Sequence, residues 1–333
     1  MMLERLFANP SSRGKLGKMD ERKLVYKITS FIPEGRVCTY GGLAKLAGIK
    51  NPRTVGQILH ENKDPRNVPC HRVVSSNGEV AKNYAFGGAK AQIEKLYREN
   101  VVTLANKVRL NGFLWRPGRC LSLYFDLLKK YGEPGLWPWF PSSQGSSGQA
   151  PSTPEEIAIG AILTQNTNWK NVEKAINNLK EKGVCSIKGI YKLESTSLAR
   201  RRLARLKGLI RPSGFYNQKS IRLFEFCKFV VEGYGNLFGF FELSIQEARE
   251  KLLVINGIGK ETADTILLYA GNRPVFVVDA YTKKFVRANN LIQETDYDHL
   301  QSFFTKNLPV NTKLYQDYHA LIVRWGKERS SKE

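Results

Sequence analysis

Cysteine and histidine are scarce in this sequence of 333 residues, which has five cysteines and four histidines scattered along its length. No two cysteines form a CxxC pair, so neither a disulfide framework nor a thiolate-ligated metal is indicated, and a zinc site is not expected. The sequence also lacks an apolar run near the ~20 residues that a membrane helix needs, and its first residues lack an apolar signal region. We therefore expect a soluble, intracellular protein of a reducing compartment.

Acidic residues are few relative to basic ones, with 30 Asp and Glu against 52 Lys and Arg, a net charge of +22. Both halves share the surplus, because residues 1–118 carry +12 and the remainder carries +10. So large a positive charge favours a polyanionic partner such as a nucleic acid. The length suits two domains of ordinary size, each basic enough to neutralise phosphates by itself.

Apolar residues recur at helical spacing along most of the chain, whereas no alternating pattern of useful length predicts a strand. We predict a mainly α protein with a basic flexible tail over 1–20, a small helical domain over 21–114, and an all-α domain over 115–333 that contains a loop over 141–153. In the first domain the spacing predicts helices over 21–31, 42–47, 53–60 and 89–100. In the second it predicts helices over 121–131, 155–163, 172–182, 198–206, 217–233, 245–254, 260–269 and 279–290. The short connection over 48–52 suits a helix-turn-helix.

Cys70 has neighbours that could make it a nucleophile. A thiol reacts as thiolate, which an adjacent base or a positive charge promotes, and here His71 and Arg72 follow Cys70 directly. The run PCHRVV (69–74) resembles the active-site signature of the O6-alkylguanine-DNA alkyltransferase family. The flanking segments TYGGLA (39–44), NPRTVG (51–56) and NYAFGG (83–88) agree in order and spacing, so the resemblance covers about residues 21–105.

The resemblance implies a role for each matching residue. Cys70 would accept the alkyl group from guanine O6 by direct displacement, without a cofactor, and the stable thioether would end activity after one turnover. His71 would take the thiol proton through water, and Glu99 would orient His71. Asn62 would brace the turn behind the site, and Tyr40 would help to donate a proton to the leaving guanine.

The same family binds DNA with the damaged nucleotide rotated out of the helix, because a stacked base cannot reach a nucleophile. Arg53 would be the finger that fills the vacated stack, and Arg72 would add positive charge toward DNA. Tyr84 and Phe86 would line the base pocket. Related alkyltransferase-like proteins bind alkylated DNA but have lost the cysteine; this chain keeps Cys70, which permits transfer.

A glycine-bearing turn lies between two predicted helices in the second half, in the run LVINGIGKETA (253–263). Glycines allow the backbone to approach a phosphate closely, so we predict DNA contacts at Gly257 and Gly259. Asp279 follows an apolar run, PVFVV (274–278), and stands at the predicted start of a helix, where it could also serve simply as an N-cap.

These features resemble the helix-hairpin-helix DNA glycosylase superfamily, which includes endonuclease III. The segments AILTQNTNW (161–169) and IRPSGFYNQK (210–219) agree as well, so the resemblance spans about 119–328. It is closest to the 3-methyladenine DNA glycosylases that lack an iron–sulfur cluster, and no cysteine after Cys227 is present to form a four-cysteine cluster. We therefore expect no iron–sulfur cofactor.

This second resemblance implies that Asp279 stabilises an oxocarbenium-like sugar and activates water as the damaged base leaves. Family members that also cleave the strand carry a lysine two residues after the second hairpin glycine. This chain has Glu261 there and Lys260 one position earlier, which predicts a phosphate contact at Lys260 and a monofunctional glycosylase. Gln165 is expected as a wedge or opposite-base contact. Two further sets are candidates: base-pocket aromatics at Trp139, Phe140 and Trp169, and a sodium or potassium site at the carbonyls of Leu253, Ile255 and Ile258.

Together, the two resemblances predict repair of alkylated purines on double-stranded DNA, by transfer of an alkyl group to Cys70 and by excision of an N-alkylated base with Asp279. We expect a monomer without an obligate protein partner and without a membrane, in the cytoplasm of a prokaryote or the nucleus of a eukaryote. Three alternatives stay open. The second domain could excise oxidised or mismatched bases, the first could recognise alkylguanine without transfer, or the whole chain could be a non-catalytic chromosomal DNA-binding protein.

Overall fold

The computed structural model describes residues 19–134, 153–195, 202–294 and 296–330. The chain divides into two compact units, Lys15–Gly135 and the segment from Leu136 to Glu333. The expectations for Trp139, Phe140, the tail over 1–18 and most of the loop over 141–153 lie outside the described residues.

The first unit begins with three short helices whose ends are set by side-chain caps. Thr39 accepts a hydrogen bond from the Gly42 amide at 3.0 Å, and Asn51 accepts one from the Arg53 amide at 3.0 Å, so each begins a helix. Between these helices Gly48 takes φ +73°, a left-handed conformation that favours glycine. The helix-turn-helix predicted at 48–52 is therefore confirmed. The helices are α1 (Glu21–Thr29), α2 (Tyr40–Ala47) and α3 (Pro52–His60).

Two very short sheets hold the rest of this unit together. Strand β1 (Cys38–Thr39) pairs in parallel with β2 (Val73–Val74), and this pairing brings the segment before β2 close to the start of α2. Further along the chain are α4 (Gly88–Arg98), the antiparallel pair β3 (Thr103–Leu104) and β4 (Lys107–Val108), and the kinked turn α5 (Leu110–Phe113). Buried side chains from several of these elements and from the segments between them form a core that contains Val37, Val74, Val80, Leu96, Val101 and Val108.

The helix α6 (Arg119–Tyr131) belongs to the first unit, not to the second as the sequence analysis expected. It packs against α1 and α2, and Phe31 meets the rings of Tyr124 and Phe125 edge-on at centroid distances of 6.0 and 5.6 Å. The compact units thus divide near residue 135, whereas the boundary was expected near 115. The apolar face of α6 packs on helices that precede it in the chain. Helical spacing alone predicts the helix but does not indicate which neighbours it packs against.

The second unit is built from helices throughout its described part. Ser244 and Glu247 form a reciprocal capping box at the start of one of them, and Asp279 caps another. The helices are α7 (Pro154–Leu163), α8 (Trp169–Glu181), α9 (Ile187–Ser195), α10 (Arg202–Ile210), α11 (Tyr216–Tyr234), α12 (Leu237–Phe241), α13 (Ile245–Val254), α14 (Lys260–Thr265), α15 (Ala280–Ala288), α16 (Tyr297–Asn307) and α17 (Thr312–Ser330).

Two features of this unit position its site. The pair α13 and α14 is joined by the glycine turn, and α14 runs on into a wider helical turn, Ile266–Ala270, that packs on α7. Helix α17 is buried along most of its length and packs against α15. The prediction of a mainly α chain with a small helical module and an all-α domain is confirmed. Among the described helices, none is long and apolar enough to cross a membrane.

Two candidate active sites

In the first unit Cys70 opens a single 3-10 turn, Cys70–Arg72, directly before β2. Its Sγ is 3.4 Å from Nδ2 of Asn62 and 4.0 Å from the hydroxyl of Tyr84. Asn62 also donates to the Val68 carbonyl at 2.9 Å, so one amide binds both the sulfur and the backbone ahead of it. This arrangement fits the bracing role expected for Asn62.

The next residue, His71, is oriented by a carboxylate from the end of α4. Its Nε2 lies 2.7 Å from Oε1 of Glu99, while Nδ1 is buried and has no hydrogen-bond partner among the described residues. Burial lowers the pKa of His71 below its ordinary value, although Glu99 opposes that shift. The imidazole is therefore neutral near pH 7, and its unpartnered Nδ1 is available to take a proton.

Arg72, expected among the DNA contacts, forms its described contacts inside the unit. Its guanidinium donates to Glu99 at 2.8–3.1 Å and to the Ile32 carbonyl at 2.7 Å. Burial alone would raise the pKa of Glu99, but the contacts with Arg72 and His71 outweigh it and lower the pKa. Glu99 thus stays ionised beside His71, and Arg72 balances its charge.

The remaining predicted residues of this site are two aromatic neighbours, a tyrosine at the start of α2 and an exposed arginine. The rings of Tyr84 and Phe86 meet at a centroid distance of 5.6 Å, and burial together with Cys70 raises the pKa of the Tyr84 hydroxyl. Tyr40, the first residue of α2, is half-buried, and burial raises its pKa too. Both hydroxyls keep their protons near neutral pH. Arg53 is exposed at the start of α3, as a finger that enters DNA would be.

In the second unit the glycine turn is shaped around an arginine from α11. Gly257 has φ +86°, and a Cβ built there would lie only 2.1 Å from Nε of Arg222. By contrast, Gly259 has ordinary backbone angles as the N-cap of α14, and a Cβ there would meet nothing within 4 Å. The first glycine is therefore required by both its conformation and its neighbour.

Gln165, expected as a wedge, is fixed in the wall of the site. It is 3% exposed, and its Nε2 donates to the Gly257 carbonyl at 2.9 Å and to Oγ1 of Thr262 at 3.1 Å. Its Oε1 accepts from Arg222 at 2.6 Å. This amide connects the segment that follows α7 with α11 and the glycine turn, and its role as a wedge or opposite-base contact stays a prediction.

A cavity of about 400 Å³ lies beside the turn. Burial, followed by the neighbouring Asp279 carboxylate, raises the pKa of Glu261 in its wall to about 8. Lys260 also lines it, and its Nζ is 2.5 Å from Oδ2 of Asp298, so this expected phosphate contact has an acidic partner. The lining residues are Gln165, Asn166, Arg222, Gly257, Gly259, Lys260, Glu261, Thr262 and Tyr297.

Asp279 is 1% exposed and is not among those lining residues. Its Oδ1 accepts from the amide of Thr282 at 2.6 Å and from the Thr282 hydroxyl at 2.9 Å, while Oδ2 lies 3.5 Å from Nε2 of His319. Burial raises the pKa of the carboxyl, but His319 and Thr282 outweigh it, and the pKa lies below its ordinary value. Asp279 is thus both an N-cap and a buried carboxylate held ionised.

Three residues that the sequence analysis missed position these groups. Gln92 on α4 donates to the carbonyls of His71 and Val73, both at 2.9 Å, and fixes the backbone of the Cys70 turn. His319 on α17 pairs with Asp279, and its Nδ1 lies 2.7 Å from the Tyr269 hydroxyl. Arg222 shapes the glycine turn. Each lies far along the chain from its partner, and no local pattern marks it.

The roles expected for the other candidate positions stay predictions. Trp169 is half-buried at the first position of α8. The Ile255 carbonyl accepts the amide of Ile258 at 3.0 Å, and the monovalent-ion site at Leu253, Ile255 and Ile258 stays a prediction. Within the described ranges no group of three or more His, Cys, Asp or Glu residues could hold a metal ion.

Comparison with known families gives two separate matches, one in each compact unit. Residues 20–101 match the family described as 6-O-methylguanine DNA methyltransferase, DNA binding domain. Residues 159–309 match the HhH-GPD superfamily of base excision DNA repair proteins.

Relatives of each part are known. A candidate DNA repair glycosylase of Methanocaldococcus jannaschii is 44% identical over 210 residues, which cover 62% of this chain and 86% of that protein. Alkyltransferase-like protein 1 of Schizosaccharomyces pombe is 33% identical over 107 residues, 30% of this chain and 99% of that protein. Among solved structures, the 3-methyladenine DNA glycosylase of Helicobacter pylori bound to 1,N6-ethenoadenine is 31% identical with a TM-score of 0.50, and the match covers 63% of this chain and 94% of that one.

Proposed function

Because this chain belongs to the 6-O-methylguanine DNA methyltransferase DNA-binding family over residues 20–101 and to the HhH-GPD superfamily over residues 159–309, it is a DNA repair protein, and we propose that it repairs alkylated purines by two separate chemistries. The first unit transfers an alkyl group from guanine O6 to Cys70. The second excises N-alkylated purines of the 3-methyladenine type by hydrolysis.

The observation that carries the transfer proposal is the arrangement around Cys70. The sulfur lies beside Asn62 and Tyr84, and the next residue is an imidazole neutral near pH 7 whose far nitrogen is held by Glu99. His71 takes the thiol proton through a water, the thiolate attacks the alkyl carbon, and the carbon–O6 bond breaks. Tyr40, which is protonated before the reaction, donates that proton to the departing guanine and regains one from His71 through water. The thioether is stable, so each molecule acts once.

Excision in the second unit rests on the buried Asp279 carboxylate. As the bond from sugar to base breaks, positive charge develops on the sugar, and an ionised carboxylate in a low-dielectric site stabilises that charge strongly. Thr282 and His319 hold the carboxylate in place and ionised. A cationic methylated purine is already a good leaving group, so the site needs stabilisation of the sugar more than protonation of the base.

Strand cleavage is not part of the proposed activity. A lyase needs an amine that attacks the sugar, and α14 carries Glu261 at the position where the strand-cleaving relatives carry lysine. Lys260 is one residue away, which is a rotation of about 100° around the helix axis, and its amine is paired with Asp298. Borohydride reduction should trap no covalent complex with DNA, and a trapped adduct at Lys260 would overturn the monofunctional assignment.

A second candidate for the first unit is recognition of alkylguanine without transfer. It is favoured by the 33% identity to alkyltransferase-like protein 1 along nearly the whole length of that protein. To decide between the two, the full chain is incubated with an oligonucleotide that contains O6-methylguanine, and its peptides are weighed. Transfer predicts one added methyl group on the peptide that contains Cys70; tight binding without added mass selects the recognition role.

The substrate of the second unit is tested by a profile of released bases. Full-length protein is incubated with methylated duplex DNA and, separately, with duplexes that carry 8-oxoguanine or a mismatch. The proposal predicts release of 3-methyladenine and no release of oxidised or mismatched bases. Release of the latter bases alone would assign this unit to another lesion class.

A further inference from the structure

A lysine lies over the aromatic pair of the first site. Lys95 on α4 places its Nζ 5.3 Å from the ring centre of Phe86 and 5.6 Å from that of Tyr84. The same ammonium donates to the Tyr84 hydroxyl at 3.3 Å, and this hydroxyl lies 4.0 Å from Sγ of Cys70. Two short contacts therefore connect the cation to the reactive sulfur.

The charge of Lys95 is not balanced by a carboxylate within the described residues. The carboxylate of this site, Glu99, is bound by Arg72 and His71. Lys95 is half-buried and near enough to His71 to oppose its protonation. A cation held over aromatic faces without a counter-ion is well placed to receive an anionic group, and such charge-assisted contacts are among the stronger ones in proteins.

We propose that Lys95 is a specificity-determining residue that makes the first site prefer O6 substituents ending in a carboxylate, such as carboxymethyl, over neutral ones. This inference rests on the proposed action of the Cys70 site on O6-alkylguanine. A carboxylate attached to the reacting carbon lies only a few bonds from the sulfur. The Lys95 ammonium is separated from the same sulfur by only two contacts, both through the Tyr84 hydroxyl, so it can reach this carboxylate. The ammonium would pair with it while the carbon faces Cys70.

The transfer step balances without a further reactant. The Cys70 sulfur forms a bond to the methylene carbon of the carboxymethyl group, and the bond from that carbon to guanine O6 breaks. The products are S-carboxymethylcysteine and guanine. The thiol proton passes to His71, guanine takes a proton from Tyr40, and Tyr40 regains one from His71 through water, so the sum of the charges is unchanged. Lys95 keeps its proton throughout and acts by attraction alone.

The test compares two adducts in the same protein. Single-turnover rate constants are measured for transfer from oligonucleotides with O6-carboxymethylguanine and with O6-methylguanine, and their ratio is the readout. Lys95→Met, which removes the charge and keeps the length, should lower the ratio about tenfold, the size of a charge-assisted hydrogen bond. Lys95→Arg should retain most of it. Lys90→Met removes an exposed lysine from the same helix and should leave the ratio unchanged.

Each outcome decides the proposal. A ratio that is the same in Lys95→Met and the unaltered protein would overturn it, as would a loss of both transfers by the same factor, because that result assigns Lys95 only to holding Tyr84. If the unaltered protein transfers neither group, transfer itself fails, and the ratio of binding affinities for the two oligonucleotides replaces the ratio of rates. A fall in that ratio in Lys95→Met then supports the preference for an anionic group, and an unchanged ratio overturns it.

Discussion

In the proposed transfer reaction, His71 is the residue whose protonation state should set the rate. Its pKa is set by opposing effects, since burial lowers it and the hydrogen bond to Glu99 raises it, with burial the larger. In the unfolded chain the same group titrates near 6.5. Above that pH the imidazole is neutral in both states, and it can act as the proton acceptor that the transfer requires.

Transfer should therefore be independent of pH near neutrality and fall only in acid. As pH drops below 6.5, protonation of His71 removes the base, so the single-turnover rate constant should decline along one limb centred below that value. Glu99→Gln removes the group that raises the pKa and should move the limb to lower pH. Rate constants measured between about pH 5 and about pH 8 check both expectations. A limb centred above pH 7 would contradict the assignment of His71.

Folding stability is linked to the same group. Because the folded-state pKa of His71 is below the unfolded value, the unfolded chain binds this proton first as pH falls. The contribution of a neutral His71 to stability is thus complete above pH 6.5 and is lost as the pH drops through the folded-state pKa.

In the second site, His319 and Thr282 together lower the pKa of Asp279, and the Thr282 contribution can be removed separately. Thr282→Val removes the hydroxyl that donates at 2.9 Å but leaves the backbone donor at 2.6 Å. The pKa of Asp279 should rise, so the acid limb of base excision should shift upward by about half a unit to one unit. Thr305→Val, where the hydroxyl only bonds its own helix, should leave the limb unchanged. An unshifted limb in Thr282→Val would contradict this role.

The residues proposed to react could be chosen from the sequence, whereas the residues that position them could not. Cys70 and His71 are adjacent, and Asp279 follows an apolar run, so local order carries their signal. Gln92 and His319 act through partners brought close only by the fold. Arg72 and Gln165 were predicted to contact DNA, and the structure adds what no local pattern indicated, namely that both bind neighbouring protein groups.

At the scale of elements, the glycine turn between α13 and α14 and the helix α11 are built as a pair. The guanidinium of Arg222 occupies the space where a Cβ of residue 257 would lie. From there it bonds Gln165, which in turn holds the turn carbonyl. The turn is thus fixed by one glycine and two long side chains, before any DNA is bound.

Gly257→Ala should destabilise the second unit more than Gly259→Ala does. The first change combines a left-handed backbone with a clash against Arg222, a cost of about 1–3 kcal/mol for the strain alone. The second adds a Cβ into open space at ordinary backbone angles. Chemical denaturation of each full-length variant measures the difference. The double variant Gly257→Ala with Arg222→Ala should recover part of the stability lost in Gly257→Ala. Equal losses of stability in Gly257→Ala and Gly259→Ala would contradict the pairing of the turn with Arg222.

Helix existence was predicted well where one face is apolar. Helices α1, α3 and α13 lie close to their expected ranges because their apolar spacing and capping residues agree. Helix α17 was missed since it is buried on most sides and shows no polar face to give a helical period. The placement of α6 with the second domain failed for a related reason: its period predicts a helix but says nothing about which neighbour covers it.

At the scale of the whole molecule, the proposal assigns a separate reactive group to each of two basic units joined in one chain. The charge is shared almost equally between the halves, so each unit can be drawn to DNA phosphates independently. The Cys70 site and the Asp279 site use residues from different compact units. Loss of one reaction should therefore leave the other intact.

The most direct test of this account measures both reactions in the same two full-length variants. With a duplex that carries O6-methylguanine and 3-methyladenine, methyl gain by the protein and release of free 3-methyladenine are recorded together. Cys70→Ala should lose methyl gain and keep base release at its original rate, while Asp279→Asn should keep methyl gain and lose base release by about a hundredfold or more. Joint loss of both reactions in either variant, with the fold intact, would contradict two separate sites.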